Sequence, residues 1–202
     1  MKAFKDYETT KSLNEFQTLP AGGYPCKIIA AKVVTYTGQT GQTYDKLEIA
    51  FDIVDGEYTN YFKNDYDART GESKKWRGVM RLSVPTDDGS DGDNWAKRVF
   101  RTCIEAVEDS NPGYHWDWYE AGLKGKFVGV LFRNEEWEYN GKTGWKAMPF
   151  RFIPYQDAQS GNFKLPKDKP LKRYDAAPAA PMSFEAAAAA VNSDDDDKLP
   201  WE

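Results

Sequence analysis

Residues 45–54, DKLEIAFDIV, alternate between apolar and polar side chains: Leu47, Ile49, Phe51 and Ile53 fall on one side of an extended chain, and Lys46, Glu48, Ala50 and Asp52 on the other. That period marks a strand with one face against a core. The preceding run, residues 24–37 (YPCKIIAAKVVTYT), is rich in β-branched residues and reads as a long first strand, joined to the second through the polar turn 38–43 (GQTGQT). Asp55-Gly56 is a hairpin signal, so residues 58–62 (YTNYF) are expected to return as a third strand.

Working outward, residues 63–92 are polar and glycine-dotted, which predicts a long loop, functional or disordered, with an apolar patch at 80–84 that forms either a short strand or a turn of helix. Trp95, Val99, Phe100, Cys103, Ile104 and Val107 then recur at helical spacing behind Asp93-Asn94, which can cap a helix over 94–109 that stops at Asn111-Pro112-Gly113. Residues 125–134 (GKFVGVLFRN), extended by 135–139, read as a strand that turns at Asn140-Gly141 and returns over 143–155. Before the strands lies an arm, 1–19; after them, 156–193 read as a flexible linker and 194–202 as an acidic tip.

The expected class is mainly β. Three strands, one helix and two strands over 20–155 match the OB-fold, a five-stranded Greek-key barrel with its helix between strands 3 and 4, which binds oligonucleotides on the face of strands 2 and 3.

Charge is divided unevenly. Residues 1–173 hold 26 Lys and Arg against 25 Asp and Glu, while 174–202 hold one Lys against seven acids, so nets of +1 and −6 make up the chain's −5. A balanced body is free to carry a local basic face. Cys26 and Cys103 are far apart and set in apolar surroundings, as expected of reduced core thiols in an intracellular, cytoplasmic protein. A single histidine, His115, argues against a histidine-based metal site, and no apolar run approaches membrane-spanning length. Neither a cofactor nor a metal is expected. Asp87, Asp88, Asp91 and Asp93 invite a calcium-loop reading, but a loop aligned on Asp87 needs an acid at its twelfth position and finds Arg98, so a turn and helix cap explain them better.

Aromatic residues make up 15% of the chain, many of them among charges, which suits stacking platforms for bases beside cations for phosphates. Three interleavings stand out as candidate sites for single-stranded DNA. Tyr36, Tyr44, Lys46, Tyr58, Tyr61 and Lys63 surround strands 1 to 3; Lys74, Lys75, Trp76, Arg77 and Arg81 lie in the long loop; Arg133, Trp137, Tyr139, Lys142 and Trp145 lie on the last hairpin. Glu135, Glu136 and Glu138 weigh against that hairpin, because carboxylates repel phosphate.

The chain ends in Asp194, Asp195, Asp196, Asp197, Lys198, Leu199, Pro200, Trp201 and Glu202. Adjacent carboxylates stay solvated and prevent a core, so a disordered acidic tail is expected. Leu199 and Trp201, held by Pro200, form an apolar tip suited to a partner's pocket. Together with the strand order over 20–155, this ending resembles phage- or prophage-type single-stranded DNA-binding proteins, whose tails usually close on several Asp and then Ile-Pro-Phe. Here Lys198 interrupts the acidic run and Glu202 follows the aromatic residue. The resemblance implies a noncatalytic protein that coats single strands without strong sequence preference. It also implies that Asp194, Asp195, Asp196, Asp197, Leu199, Pro200 and Trp201 recruit replication or recombination proteins in a bacterial host cell. Whether it assembles as a homo-oligomer stays open. The alternative is an adaptor or inhibitor that binds only proteins and mimics DNA with its tail; a metal-dependent nuclease ranks third.

Overall fold

The first two strands pair as one long antiparallel hairpin, β1 (Gly22–Thr37) with β2 (Thr43–Ile53), in a computed structural model that describes residues 18–71 and 73–172 together with Lys5 and Tyr7. The alternation of DKLEIAFDIV is realised: Leu47, Ile49, Phe51 and Ile53 are all buried. Between the strands, Gly38 N–H donates to the Gln42 carbonyl at 2.8 Å and closes the polar turn. β3 (Val79–Ser83) pairs with β2, β4 (Phe127–Tyr139) with β1, and β5 (Lys142–Ile153) with β4, all antiparallel. The result is a five-stranded sheet in the order β3-β2-β1-β4-β5. Its two edge strands, β3 and β5, come close to each other. The β4–β5 turn uses Asn140 at φ 49° and Gly141 at φ 71°, the two left-handed residues that a tight hairpin with matching twist requires.

Phe51, Phe132 and Phe152 fill the centre of the core, with Phe51 edge-on to the other two at centroid distances of 6.1 and 6.3 Å. Each ring taken fully out of water contributes about 1.5–3 kcal/mol. α2 (Asp91–Ser110) covers one side with Cys103, Ile104, Ala106 and Val107. It begins at Ser90, whose hydroxyl accepts from Asp93 N–H at 3.1 Å, so the cap lies ahead of the expected Asp93-Asn94. Asp93 instead accepts from Thr86 and Asp87 N–H at 2.8 and 3.0 Å and pairs with Lys97 at 2.8 Å. The acidic stretch is thus a turn and helix start. Trp95, assigned by spacing to the buried face, stands exposed. At the far end Asn111 donates to the Val107 and Phe127 carbonyls and accepts from Phe127 N–H, tying the helix to the start of β4.

Residues 58–62 differ from expectation. They form a turn and the start of α1 (Tyr61–Ala68), and the third strand is β3, within the expected long loop. Asn60, at the helix start, is left-handed and makes no side-chain cap. Asp52 on β2 caps α1 from outside, accepting from Phe62 and Lys63 N–H at 3.0 and 3.1 Å. Burial raises the Asp52 carboxyl above its usual range, against the lowering effect of those backbone hydrogen bonds. No pattern local to 58–68 encodes this cap.

Residues 156–170, read from sequence as the start of a linker, belong to the unit Met1–Pro170, which holds every helix and strand of the described residues; Leu171–Glu202 form a second unit. α3 (Tyr155–Ser160) packs Ala158 against Leu131 and Ile153, joined by Phe163. A Cβ on Gly23 would lie 2.5 Å from the Phe163 ring, so β1 needs a glycine where this ring crosses it. Past Phe163, Lys169 forms a parallel bridge with Glu135. Lys169 N–H donates to the Asn134 carbonyl at 2.8 Å, and Glu136 N–H to the Lys169 carbonyl at 2.9 Å. The acidic tip and most of the N-terminal arm lie outside the described residues.

Candidate nucleic-acid interface

Strand register decides which polar residues share a surface. Across β1 and β2, Tyr36 faces Tyr44, Val34 faces Lys46 and Lys32 faces Glu48; across β2 and β3, Glu48 faces Arg81. These residues occupy the side of the sheet opposite Leu47, Ile49, Met80 and Leu82, which are buried. Tyr36 and Tyr44 stack with centroids 5.8 Å apart and planes 12° from parallel. Lys46 Nζ stands over both rings, at 5.9 and 5.3 Å from their centroids. Tyr44 is 40% exposed.

Beside the stack, Tyr36 OH donates to Glu48, and Arg81 Nε donates to Glu48 Oε1 at 2.8 Å and to Tyr36 OH at 3.4 Å. Burial pushes the Tyr36 phenol up, and its hydrogen bond to Glu48 adds to the rise. Burial alone would raise Glu48, yet the hydrogen bonds from Tyr36 and Arg81 hold it below the usual carboxylate range. This triad fixes the tyrosine ring's tilt. Lys32, Lys46 and Arg81 share this face with Glu48, which Arg81 pairs; further along the same side of β2 the second carboxylate, Asp52, is buried and occupied in capping α1. A planar stack flanked by lysines can hold a base on its ring and a phosphate on its lysines.

The other expected members separate. Tyr58 lies in the turn before α1, edge-on to Tyr24 at 5.6 Å, and Tyr61 opens α1, where its hydroxyl accepts from Leu19 N–H at 3.3 Å. Both pack against the core and serve the scaffold, off the strand face where a third strand would have put them. Lys63 is exposed and paired with Asp67.

In the α1–β3 connection, Trp76 is half-buried against the core and its indole N–H donates to the Phe51 carbonyl at 3.0 Å. Its ring leans on Tyr66 at 5.7 Å, and Lys74 Nζ stands 4.4 Å above the Tyr66 ring. Lys75 and Arg77 are exposed, and Arg77 reaches Asp65 at 3.3 Å. Tyr66 lies in α1, within a stretch whose sequence reads as loop, so no local pattern marks its ring as a partner for Lys74 and Trp76.

On the β4–β5 hairpin the expected cluster divides between two faces. Arg133, Glu135, Trp137 and Tyr139 alternate with Asn134, Glu136 and Glu138; Lys142 and Lys146 pair with the first set, Trp145 with the second. Glu136 and Glu138 therefore lie on the face away from Trp137, and Glu135 is bound by Arg133 at 2.8 Å. The carboxylates that weigh against this hairpin are directed away from its aromatic and basic side or neutralised on it. Trp137 lies over Gly144, where a Cβ would come within 2.8 Å of the indole. Tyr139 is 71% exposed near the turn, and Trp145 is 49% exposed opposite Glu136.

Cys26 and Cys103 are free and buried, and burial raises both thiols. Among the described residues no group of three or more His, Cys, Asp and Glu could hold a metal ion, and no helix is long and apolar enough to cross a membrane. No protein-family model matches the chain, and no curated protein matches it.

Proposed function

We propose that the protein binds single-stranded DNA, noncatalytically and without strong sequence preference, across the outer face of β1, β2 and β3. The observation that carries this reading is the Tyr36–Tyr44 stack, with Lys46 over both rings and Lys32 and Arg81 on the same face. Every base has a π-face and every nucleotide a charge, so such a surface accepts any sequence. The strand order and the approach of β3 to β5 are those that an OB-fold barrel would have, and its oligonucleotide face is this one. In this reading the chain is an SSB-like protein of phage or prophage type, and its acidic tip, closing on Leu199-Pro200-Trp201, recruits replication or recombination enzymes.

The test is a titration of labelled oligo-dT and of duplex of equal length at two salt concentrations. Binding is expected to favour the single strand and to weaken steeply with salt. Absence of binding to either would favour the protein-only adaptor, and metal-dependent cleavage the nuclease.

A further inference from the structure

A second basic surface lies outside the β1–β3 face. Arg133 and Phe150 from the hairpin, Arg151 beside them, and Lys164, Leu165 and Lys167 from the segment after α3 line a hollow of about 310 Å³. Four cations line it, and no carboxylate does among the described residues. Only Arg133 has a carboxylate partner, Glu135; Arg151, Lys164 and Lys167 form no ion pair among the described residues. Like charges gathered without compensation repel one another, so this arrangement gains stability when an anion enters.

The walls are fixed on both sides. Phe163 anchors the segment just before Lys164, packed on Leu131, Ile153 and Ala158. Lys169 anchors it just after Lys167 through its two backbone hydrogen bonds to β4. On the opposite wall the Arg133 guanidinium is held 4.8 Å above the Phe150 ring and 2.8 Å from Glu135, which sets its direction. A register shift between Leu131 and Phe132 on the β4–β5 ladder leaves Phe150 as the extra residue, exposed at the hollow's edge. The site therefore combines oriented cations with an apolar rim of Phe150 and Leu165.

We infer that this hollow is a second phosphodiester site, which takes the sugar-phosphate backbone of a single strand beyond the length covered by β1–β3. The inference rests on the single-strand reading above and extends the contacted length of DNA. An acidic peptide offers anions without the regular spacing and flat, partly apolar sugars and bases that the Phe150 and Leu165 rim accommodates.

The test uses the full chain and a triple variant, Arg151→Gln, Lys164→Gln and Lys167→Gln, with oligo-dT affinity measured over a salt series. Each phosphate contact on a single strand contributes about 0.7 to the slope of log K against log salt, so the triple variant is expected to lower that slope by about 2. The nucleotides occluded per protein on long oligo-dT should also fall. All three side chains are exposed; should the triple variant melt early, the Lys164→Gln and Lys167→Gln pair is expected to lower the slope by about 1.4. Wild-type binding with an unchanged slope in the variants overturns this inference and leaves the single-strand reading standing. A wild type that does not bind oligo-dT overturns both. A peptide of residues 189–202 whose binding is lost in the variants, while the oligo-dT slope stays unchanged, reassigns the hollow to an acidic segment and overturns the inference.

Discussion

The β1–β2 and β4–β5 hairpins draw on the same kinds of residue, tyrosine or tryptophan interleaved with lysine and glutamate, and arrange them differently. In β1–β2 the register brings Tyr36, Tyr44 and Lys46 to one face and gives Glu48, beside them, an arginine partner. In β4–β5 the same alternation sends Trp137 to one face and Trp145 to the other, beside Glu136. Composition alone treats the two as equals. What separates them is parity: a period of two sorts each side chain by whether its number is odd or even, and one residue of offset reassigns it.

The comparison breaks most sharply at the tyrosine pair. Replacing Tyr36 and Tyr44 together by Ala is expected to weaken oligo-dT binding by about 2–4 kcal/mol, less than two independent rings would, because the rings lean on each other. Anisotropy titration measures it, and an unchanged affinity removes β1–β2 from the interface. Next in size comes a stability effect in a third region. Trp76→Ala gives up a half-buried ring and the hydrogen bond to Phe51, and should cost about 2–3 kcal/mol in urea unfolding. If it melts like wild type yet binds DNA poorly, Trp76 belongs with the tyrosines and not with the scaffold.

Within β4–β5 the two tryptophans sharpen the contrast. Trp137→Ala should weaken oligo-dT binding by about 1 kcal/mol, and Trp145→Ala by less than about 0.5 kcal/mol, since Glu136 and Glu138 share the latter's face. The reverse ranking would show that DNA follows the other side of the hairpin.

The smallest effect separates fold from interface. The Lys97 ammonium, with the Thr86 and Asp87 amides, holds the Asp93 carboxyl down to about 2 from an ordinary 3.8. A carboxylate lowered on folding stabilises the protein fully above its ordinary value, and that contribution is lost as pH falls through about 2. Thermal melts between those limits should show a steeper loss for wild type than for Lys97→Met, which lifts Asp93 back toward its ordinary range. Equal slopes would mean that this pair does not stabilise the start of α2.

How much of this was legible follows from where the determinants lie. β1, β2, α2 and the β4–β5 turn are written in local patterns: the alternation of Leu47, Ile49, Phe51 and Ile53, the spacing of Cys103, Ile104 and Val107, and the Asn140-Gly141 pair. α1 was not legible, because its cap, Asp52, comes from another strand. Asp55-Gly56 did mark a turn, with Gly56 at φ 85°, but a turn signal does not say whether a strand or a helix comes next. The segment after α3 shows no period, and its path depends on Phe163 meeting Gly23 about 140 residues earlier. At the interface, residue types were readable; their division between faces waited on the exact pairing of β4 with β5.

Asp52 has a further consequence for the order in which the chain acquires structure. A helix of eight residues does not hold its first turn alone in water. Its initial amides find their acceptor only where β2 has placed that carboxylate, so α1 is expected to form after the sheet. In hydrogen exchange the Phe62 and Lys63 amides are expected to be protected as strongly as those of β2, although they sit at a helix end, where fraying usually makes exchange fast. Asp52→Ala should return them to rapid exchange while β1 and β2 keep theirs slow.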